Sequence, residues 1–203
     1  MAFEFVGTSS QYISANSAIL TAYPITICAF INVPSASTVY RNIAIYKDAT
    51  ERLVNFAIDS GKVMVEAVQN YGGRGSSIGT LTANTYFHGA GILLSTTSRT
   101  AFLNGTAGTL DTTLVSPATP DKFAIGGFPT GYLTGKNAEV AIWNVELTNA
   151  EIASLAKGFK PTRIRPQSLV FYAPLLRNLQ DLRGGLALTN NNSATVADHP
   201  RVY

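Results

Sequence analysis

The sequence predicts an all-β protein, a sandwich of two antiparallel sheets with one short α-helix near residues 149–157. Three observations lead there. Almost everything before residue 146 reads as apolar runs of strand length separated by turn residues. Residues 138–145, AEVAIWNV, place Val140, Ile142 and Asn144 on one side and Ala141, Trp143 and Val145 on the other, the two-residue period of a strand covered on both faces. Directly behind it, Thr148 and Glu151 have the spacing of a capping box, with Leu147 and Ile152 placed to form a hydrophobic staple.

In chain order, Ile25, Ile27, Ala29, Ile31 and Val33 alternate with Thr26, Cys28, Phe30 and Asn32, so one face of this strand is wholly apolar and belongs in the core. Val54, Phe56 and Ile58 enter a turn made by Asp59, Ser60, Gly61 and Lys62, and Val63, Val65 and Ala67 leave it, which makes a hairpin. Residues 70–79, NYGGRGSSIG, have the glycine and serine content of a mobile loop between two strands. Such a loop either presents Tyr71 and Arg74 to a ligand or is a plain surface excursion. Asn104-Gly105, after Ala101, Phe102 and Leu103, is the strongest short-range turn signal. Gly126, Gly127 and Gly131 bracket a further loop whose exposed aromatics would be Phe128 and Tyr132.

The helix after Thr148 is too short to stand alone and must lie against the body of the domain. Gly158 stops it, Lys157 sits at its negative end, and Pro161 prevents its resumption. Residues 169–172 then read as a strand returning to the sandwich. The stretch after Asn190 is small and polar until Val202 and Tyr203, and reads as an arm docking on a neighbouring subunit. We therefore expect one domain over residues 1–203, with its core in 3–157 and a basic C-terminal segment in 158–203.

Composition narrows the setting. The 203 residues are 46% hydrophobic and only 13% charged, against a usual charged share of about a quarter. Either partners cover part of the surface or Ser, Thr and Asn solvate it. The net charge of +3 is uneven: from Lys157 onward seven cations face two acids, whereas the preceding part has eight cations and ten acids. This basic end suits an acidic protein surface, with Lys160, Arg163, Arg165, Arg201 and Tyr203 as the docking residues. It lacks the interleaved aromatic residues and reading motifs of a nucleic-acid interface. Cys28 is the single cysteine, so no internal disulfide can form, and its place in ITICAFI suits burial. The N-terminus, with Glu4 and no basic region before an apolar stretch, does not read as a signal peptide, and no run approaches the roughly 20 apolar residues of a membrane span.

Chemistry is hard to find. Glycoside cleavage needs two carboxylates about 5–10 Å apart, and the nearest acid pairs, Asp48 with Glu51 and Glu146 with Glu151, fall in turn and helix-cap contexts. His88 and His199 accompany no nucleophile motif, and with one cysteine they make a poor zinc set. Gly72, Gly73 and Gly75 lack the lysine and following helix of a phosphate loop. We expect no enzyme and no cofactor. Calcium is the ion to consider, through the loop acids Asp59, Asp111 and Asp121.

Trp143, Asn144, Leu147, Thr148, Glu151, Ile152 and Leu155 together resemble the strand-Trp-helix signature of the laminin-G-like, concanavalin A-like jelly-roll superfamily. The likeness runs on through PITICAFINV, NTYFHGAGILLS, TAFLNGTAG and KFAIGGF in the expected order, over roughly residues 3–157. It implies a jelly-roll sandwich, and it names glucanases whose E-x-D-x-x-E strand has no counterpart here. The C-terminal residues 165–170, Pro174, Leu175, 178–181, Gly184, Gly185 and 199–203 are similar to the end of jelly-roll proteins of tailed bacteriophages and prophages. That second resemblance implies a virion component assembled in the host cytoplasm. On it we expect a non-catalytic capsid decoration protein that binds the major capsid protein as a homo-oligomer, with a trimer guessed from capsid geometry. The alternative is a carbohydrate-binding, lectin-like module, placed free or at a tail tip, that recognises host glycan through exposed loop aromatics.

Overall fold

The structure, a computed structural model, describes residues 2–35, 38–127 and 131–203. Its strands in chain order are β1 (Ala2–Phe5), β2 (Tyr12–Ala15), β3 (Ile25–Asn32), β4 (Tyr40–Tyr46), β5 (Arg52–Asp59), β6 (Lys62–Gln69), β7 (Gly72–Ile78), β8 (Phe87–Ser95), β9 (Ser98–Leu103), β10 (Thr106–Ala107), β11 (Lys122–Ile125), β12 (Gly135–Trp143), β13 (Leu169–Ala173), β14 (Thr189–Asn191) and β15 (Thr195–Ala197). One α-helix, α1 (Asn149–Ala156), lies between β12 and β13. The first sheet runs β10-β9-β8-β3-β12-β1-β15, with β13 also paired to β12, and the second runs β14-β2-β11-β4-β5-β6-β7. All-β and antiparallel, this is the jelly-roll sandwich that the sequence predicts.

The core lies where the inner faces meet. Ile25, Ile27, Ala29 and Ile31 of β3 point into it with Val140 and Ile142 of β12, against Ile43, Ile45, Val54, Phe56, Val63 and Val65 of the second sheet. Asn137 of β12 donates its Nδ2 to Asn42 Oδ1 of β4 at 2.7 Å, a buried polar link directly between the sheets. The residues of β12 that alternate outward, Ala141 and Trp143, are buried as well. They meet Leu147, Ile152 and Leu155 of the helix segment, together with Cys28, Ala90, Ile92 and Phe102. Trp143 places its indole N–H on the Ile164 carbonyl at 2.8 Å, so the aromatic ring is fully sunk without a lost hydrogen bond.

The capping box forms as spaced: Thr148 N–H donates to Glu151 Oε2 at 2.7 Å, and Glu151 N–H returns to Thr148 Oγ1 at 3.3 Å. Gly158, at φ +93°, takes the left-handed conformation just past the helix.

Residues 70–79 differ from the expected mobile loop. Asn70 and Tyr71, at φ +50° and +64°, make a two-residue hairpin turn, and β7 pairs with β6 along its whole length. Glycine removed the side-chain alternation by which a strand is read. It also fits the site: a Cβ on Gly75 would come within 2.3 Å of the Val65 carbonyl.

The C-terminal segment gives strands to both sheets, β13 and β15 to the first and β14 to the second. Its final residues lie on the chain's own sandwich. Tyr203 N–H bonds the Gly158 carbonyl at 2.7 Å, Lys160 N–H bonds the Tyr203 carbonyl at 3.1 Å, and the Tyr86 hydroxyl donates to the Asp198 carbonyl at 2.5 Å. Among the described residues, no helix is long and apolar enough to cross a membrane.

Candidate functional site

Helix α1 and this terminal strap both lie over the outer face of the first sheet. Among the described residues, the outer face of the second sheet carries no helix, and its chemistry is different. Its cross-strand register aligns Ser14, Ala124, Ala44, Asn55, Glu66 and Gly75 in one row across six strands. Small residues make the floor at one end of the row, and polar ones occupy the other. Tyr12 and Tyr132 stand together beside the floor, ring centroids 5.8 Å apart and tilted by 42°. Tyr46 packs on Ala44 and Ala124 with Tyr12. Burial, and then the neighbouring Tyr12, Asp121 and Tyr132, push the Tyr46 phenol up to about 12, so its hydroxyl keeps its proton at any physiological pH.

Asn55 is fully buried and donates Nδ2 to Glu66 Oε1 at 2.5 Å, while its Oδ1 has no partner. Gly73 leaves the space for that carboxylate, since a Cβ there would lie 2.3 Å from Glu66 Oε2. Arg52, 7% exposed, donates one Nη to the Ala49 carbonyl at 2.9 Å; its Nε is unpartnered, and it belongs to no ion pair among the described residues. Burial, and after it the charge of Arg41, weaken the hold of Arg52 on its proton. Buried polar atoms without partners are rare, and on an outer sheet face they mark where a ligand can supply what the protein does not.

Residues 7–153, well over half of the chain, match the laminin-G family of the concanavalin A-like lectin/glucanases superfamily. The chain belongs to that family. Among solved structures, this laminin-G domain is similar to a heptameric SAP-like pentraxin from Limulus polyphemus at 12% identity and TM-score 0.66, covering 93% of this chain and 89% of that one. It is also similar to a candidate carbohydrate-binding protein from Bacteroides ovatus (18% identity, TM-score 0.63, 96% and 61% covered). A third likeness is to domain 4 of an extracellular arabinanase from Geobacillus stearothermophilus, solved with arabinotriose (14%, 0.61, 71% and 72%). At such identities the likeness concerns the fold. No curated protein matches the chain.

The laminin-G domain holds a second polar cluster, under the terminal strap. Glu139, at φ +55° and 3% exposed, sits at a bulge in β12. Its Oε2 accepts from the Tyr172 hydroxyl at 2.7 Å and its Oε1 lies 3.1 Å from His199 Nε2. Both oxygens are engaged, so the cluster is a clasp that ties the C-terminus to the sheet. Arg99 acts alike at the other edge: wholly buried, it grips Asp111 at 3.1 Å and the Thr96 and Thr113 carbonyls.

The acids considered for calcium are kept apart. Asp111 serves Arg99 and Asp121 pairs with Lys122 at 2.8 Å, while Asp59 is at the far end of β5 and accepts from Ser60 at 2.7 Å. No group of three or more metal-ligating side chains occurs among the described residues. His88 is buried edge-on to Phe30 with both ring nitrogens unpartnered. The Cys28 thiol is buried, and burial pushes its pKa far up.

Of the residues expected at a ligand, Tyr132 lies on the open face, half-buried beside Tyr12. Tyr71, 77% exposed, is at the β6–β7 turn near the Arg52 end, so it and Tyr132 stand at opposite ends of that face. Arg74 pairs opposite the inward Ala67 and is exposed at the sheet edge. Phe128 lies outside the described residues. Of the docking residues, Lys160, Arg163, Arg201 and Tyr203 are exposed, and Arg165 is tied to Glu151 at 2.6 Å. Tyr12, Arg41, Tyr46, Arg52, Asn55 and Glu66 were not expected. The signal for Asn55 and Arg52 is a polar residue within and before the apolar run LVNFAI.

Proposed function

We propose that this domain is a non-catalytic, lectin-like carbohydrate-binding module whose ligand lies on the outer face of the second sheet. One observation carries the reading: tyrosine rings stand over a floor of alanines beside buried polar atoms that lack partners. Sugars offer apolar C–H faces for rings to cover and hydroxyls that both donate and accept. Asn55 Oδ1 would accept from one hydroxyl and Glu66 from another. The carbohydrate named with two similar folds, arabinotriose bound by the arabinanase domain and the carbohydrate class of the Bacteroides protein, agrees with the reading. Cleavage is not part of it. Glu66 is the only carboxylate in the polar row, whereas Asp48 closes its own turn onto Thr50 and Glu51, and Asp121 holds Lys122. A glycan array probed with the protein tests the proposal. Binding lost in Tyr12→Ala and Asn55→Ala is the expected result, and retention in both variants overturns this location.

A virion setting is a second reading, carried by the phage-like C-terminal residues and by the exposed cations Lys160, Arg163 and Arg201. It would have the protein decorate capsids through contact with the major capsid protein, as an oligomer strengthened by multivalency. Immunogold labelling of particles tests it, since label on heads supports decoration, label on tails supports an adhesin, and no label removes it.

A further inference from the structure

The terminal strap does not seal against the sheet it crosses. Between it and the chain that follows β13 lies a cavity of about 500 Å³. Ligand pockets commonly measure about 300–1,000 Å³ and join an apolar lining to a few convergent polar groups. Leu176, Leu182 and Val202 supply the apolar lining here, and Glu139, Lys160 and Arg201 the charged groups. Glu139 forms the buried end. Its φ of +55° is strained for a residue with a side chain, and such strain gathers at binding and switching sites. One of its oxygens accepts from the Tyr172 hydroxyl at 2.7 Å and the other lies 3.1 Å from His199 Nε2, so it has no unmet bond to offer a ligand. The open valences are at the rim. Lys160 and Arg201 are exposed and belong to no ion pair among the described residues. In the same lining, Leu176 is 42% exposed and Leu182 56%.

We infer that this cavity binds a small monocarboxylate with an apolar body, its charged end at Lys160 and Arg201 and its body against Leu176, Leu182 and Val202. Charge sets the orientation. A carboxylate turned inward would meet that of Glu139, whereas one turned outward meets an ammonium and a guanidinium, and the guanidinium can hold both of its oxygens. Burial of the two exposed leucines supplies the rest of the attraction. A neutral ligand of the same shape would gain that burial without the rim contacts. The site is independent of the carbohydrate reading, because it belongs to the first sheet and shares no residue with the open face of the second.

The experiment is calorimetric titration of the full chain, at low salt, with 2-naphthoate and octanoate, each against its neutral amide. The carboxylates are expected to bind about tenfold more tightly than the amides, since each of two exposed ionic contacts contributes roughly threefold. Lys160→Gln and Arg201→Gln should each weaken the carboxylates by about threefold and leave the amides unchanged. Leu182→Ser should weaken carboxylate and amide alike, by about threefold. These three side chains are exposed, so the variants keep the fold. Arg163→Gln, a neighbouring exposed cation that does not line the cavity, should change neither. Salt of about 0.5 M should bring the paired probes together. Amides bound as tightly as carboxylates at low salt would overturn the anionic class. Carboxylate binding that is indifferent to the Lys160, Arg201 and Leu182 changes would overturn the location, and the absence of binding by both carboxylates at millimolar concentration would overturn the site itself.

Discussion

The two sheets of this sandwich are alike on their inner faces and opposite on their outer ones. Outward residues of the first sheet are Cys28, Ala90, Ile92, Phe102, Ala141 and Trp143, all buried under the helix segment and its surroundings. Outward residues of the second are Ser14, Ala44, Ala124, Asn55, Glu66, Arg41 and Arg52, with tyrosines above them. A strand covered on both sides reads as a continuous apolar run, whereas one with a free face alternates. The first sheet thus accounts for much of the 46% hydrophobic content. The second departs from the usual pattern in an instructive way: two of its outward polar residues, Asn55 and Arg52, are themselves buried, although no helix among the described residues lies over them. Covered apolar residues serve stability, and the buried polar residues with open valences are the ones proposed to serve binding.

The sharpest way to break that contrast is Trp143→Ala. Removing the largest fully buried side chain of the covered face should cost about 3–5 kcal/mol, from lost burial and the cavity left behind. The freed Ile164 carbonyl adds to the loss. Urea denaturation checks this, and glycan affinity of the remaining folded protein should be unchanged. A cost below 1 kcal/mol would show that the helix does not hold this face.

His88 gives the next effect in size. It occupies the covered face against Phe30, where burial holds its pKa down at about 3, compared with the ordinary 6.5 of an exposed imidazole. Between those values the unfolded chain takes up a proton that the folded protein does not. The stability present above pH 6.5 is therefore lost as the pH falls toward 3, by about 1.4 kcal/mol for each unit. Melting temperatures measured from pH 7 to 5 should decline in the wild type and decline less in His88→Leu. Parallel curves would mean that the imidazole is reached by solvent.

The contrast also explains what the sequence makes legible. The strand at β12 and the capped helix are local patterns, in which every signal lies within a few residues of its partner. Periodicity placed Ile25 to Ile31 inward correctly for the same reason. The open face is built otherwise. Its residues come from β2, β4, β5 and β6, and bulges between Arg41 and Ile43 and between Arg52 and Asn55 break the two-residue period on which facing is judged. Arg52 and Asn55 are three apart, yet both face outward. Glycine hid β7 in a similar way, since a strand without side chains has no pattern. The C-terminal strap was illegible because its partners, Glu139, Pro174 and Tyr86, are far away in sequence.

Thr148→Ala tests the cover more gently. It removes the hydroxyl that accepts from Glu151 N–H and should cost about 1 kcal/mol. The helix rests on Trp143 through Ile152 and Leu155, so fraying of its first turn should appear as a loss of near-ultraviolet circular dichroism from the indole. An unchanged indole signal would locate the restraint elsewhere, in the Glu151–Arg165 pair at 2.6 Å.

The smallest change in stability belongs to the open face. Tyr12 and Tyr132 are half-buried and pack on each other outside the main core, so Tyr12→Ala or Tyr132→Ala should cost less than about 1 kcal/mol, as truncations at partly exposed sites do. Their effect on ligand affinity should be at least tenfold, the loss expected when an aromatic anchor is removed from a binding surface. Trp143 is predicted to behave in the reverse sense, with large destabilisation and no direct effect on binding. If the tyrosine variants lost several kcal/mol of stability and affinity in proportion, the second sheet would also be a covered face in solution. Its occupant would then be protein and not sugar, because only a permanent partner contributes to the unfolding free energy without added ligand.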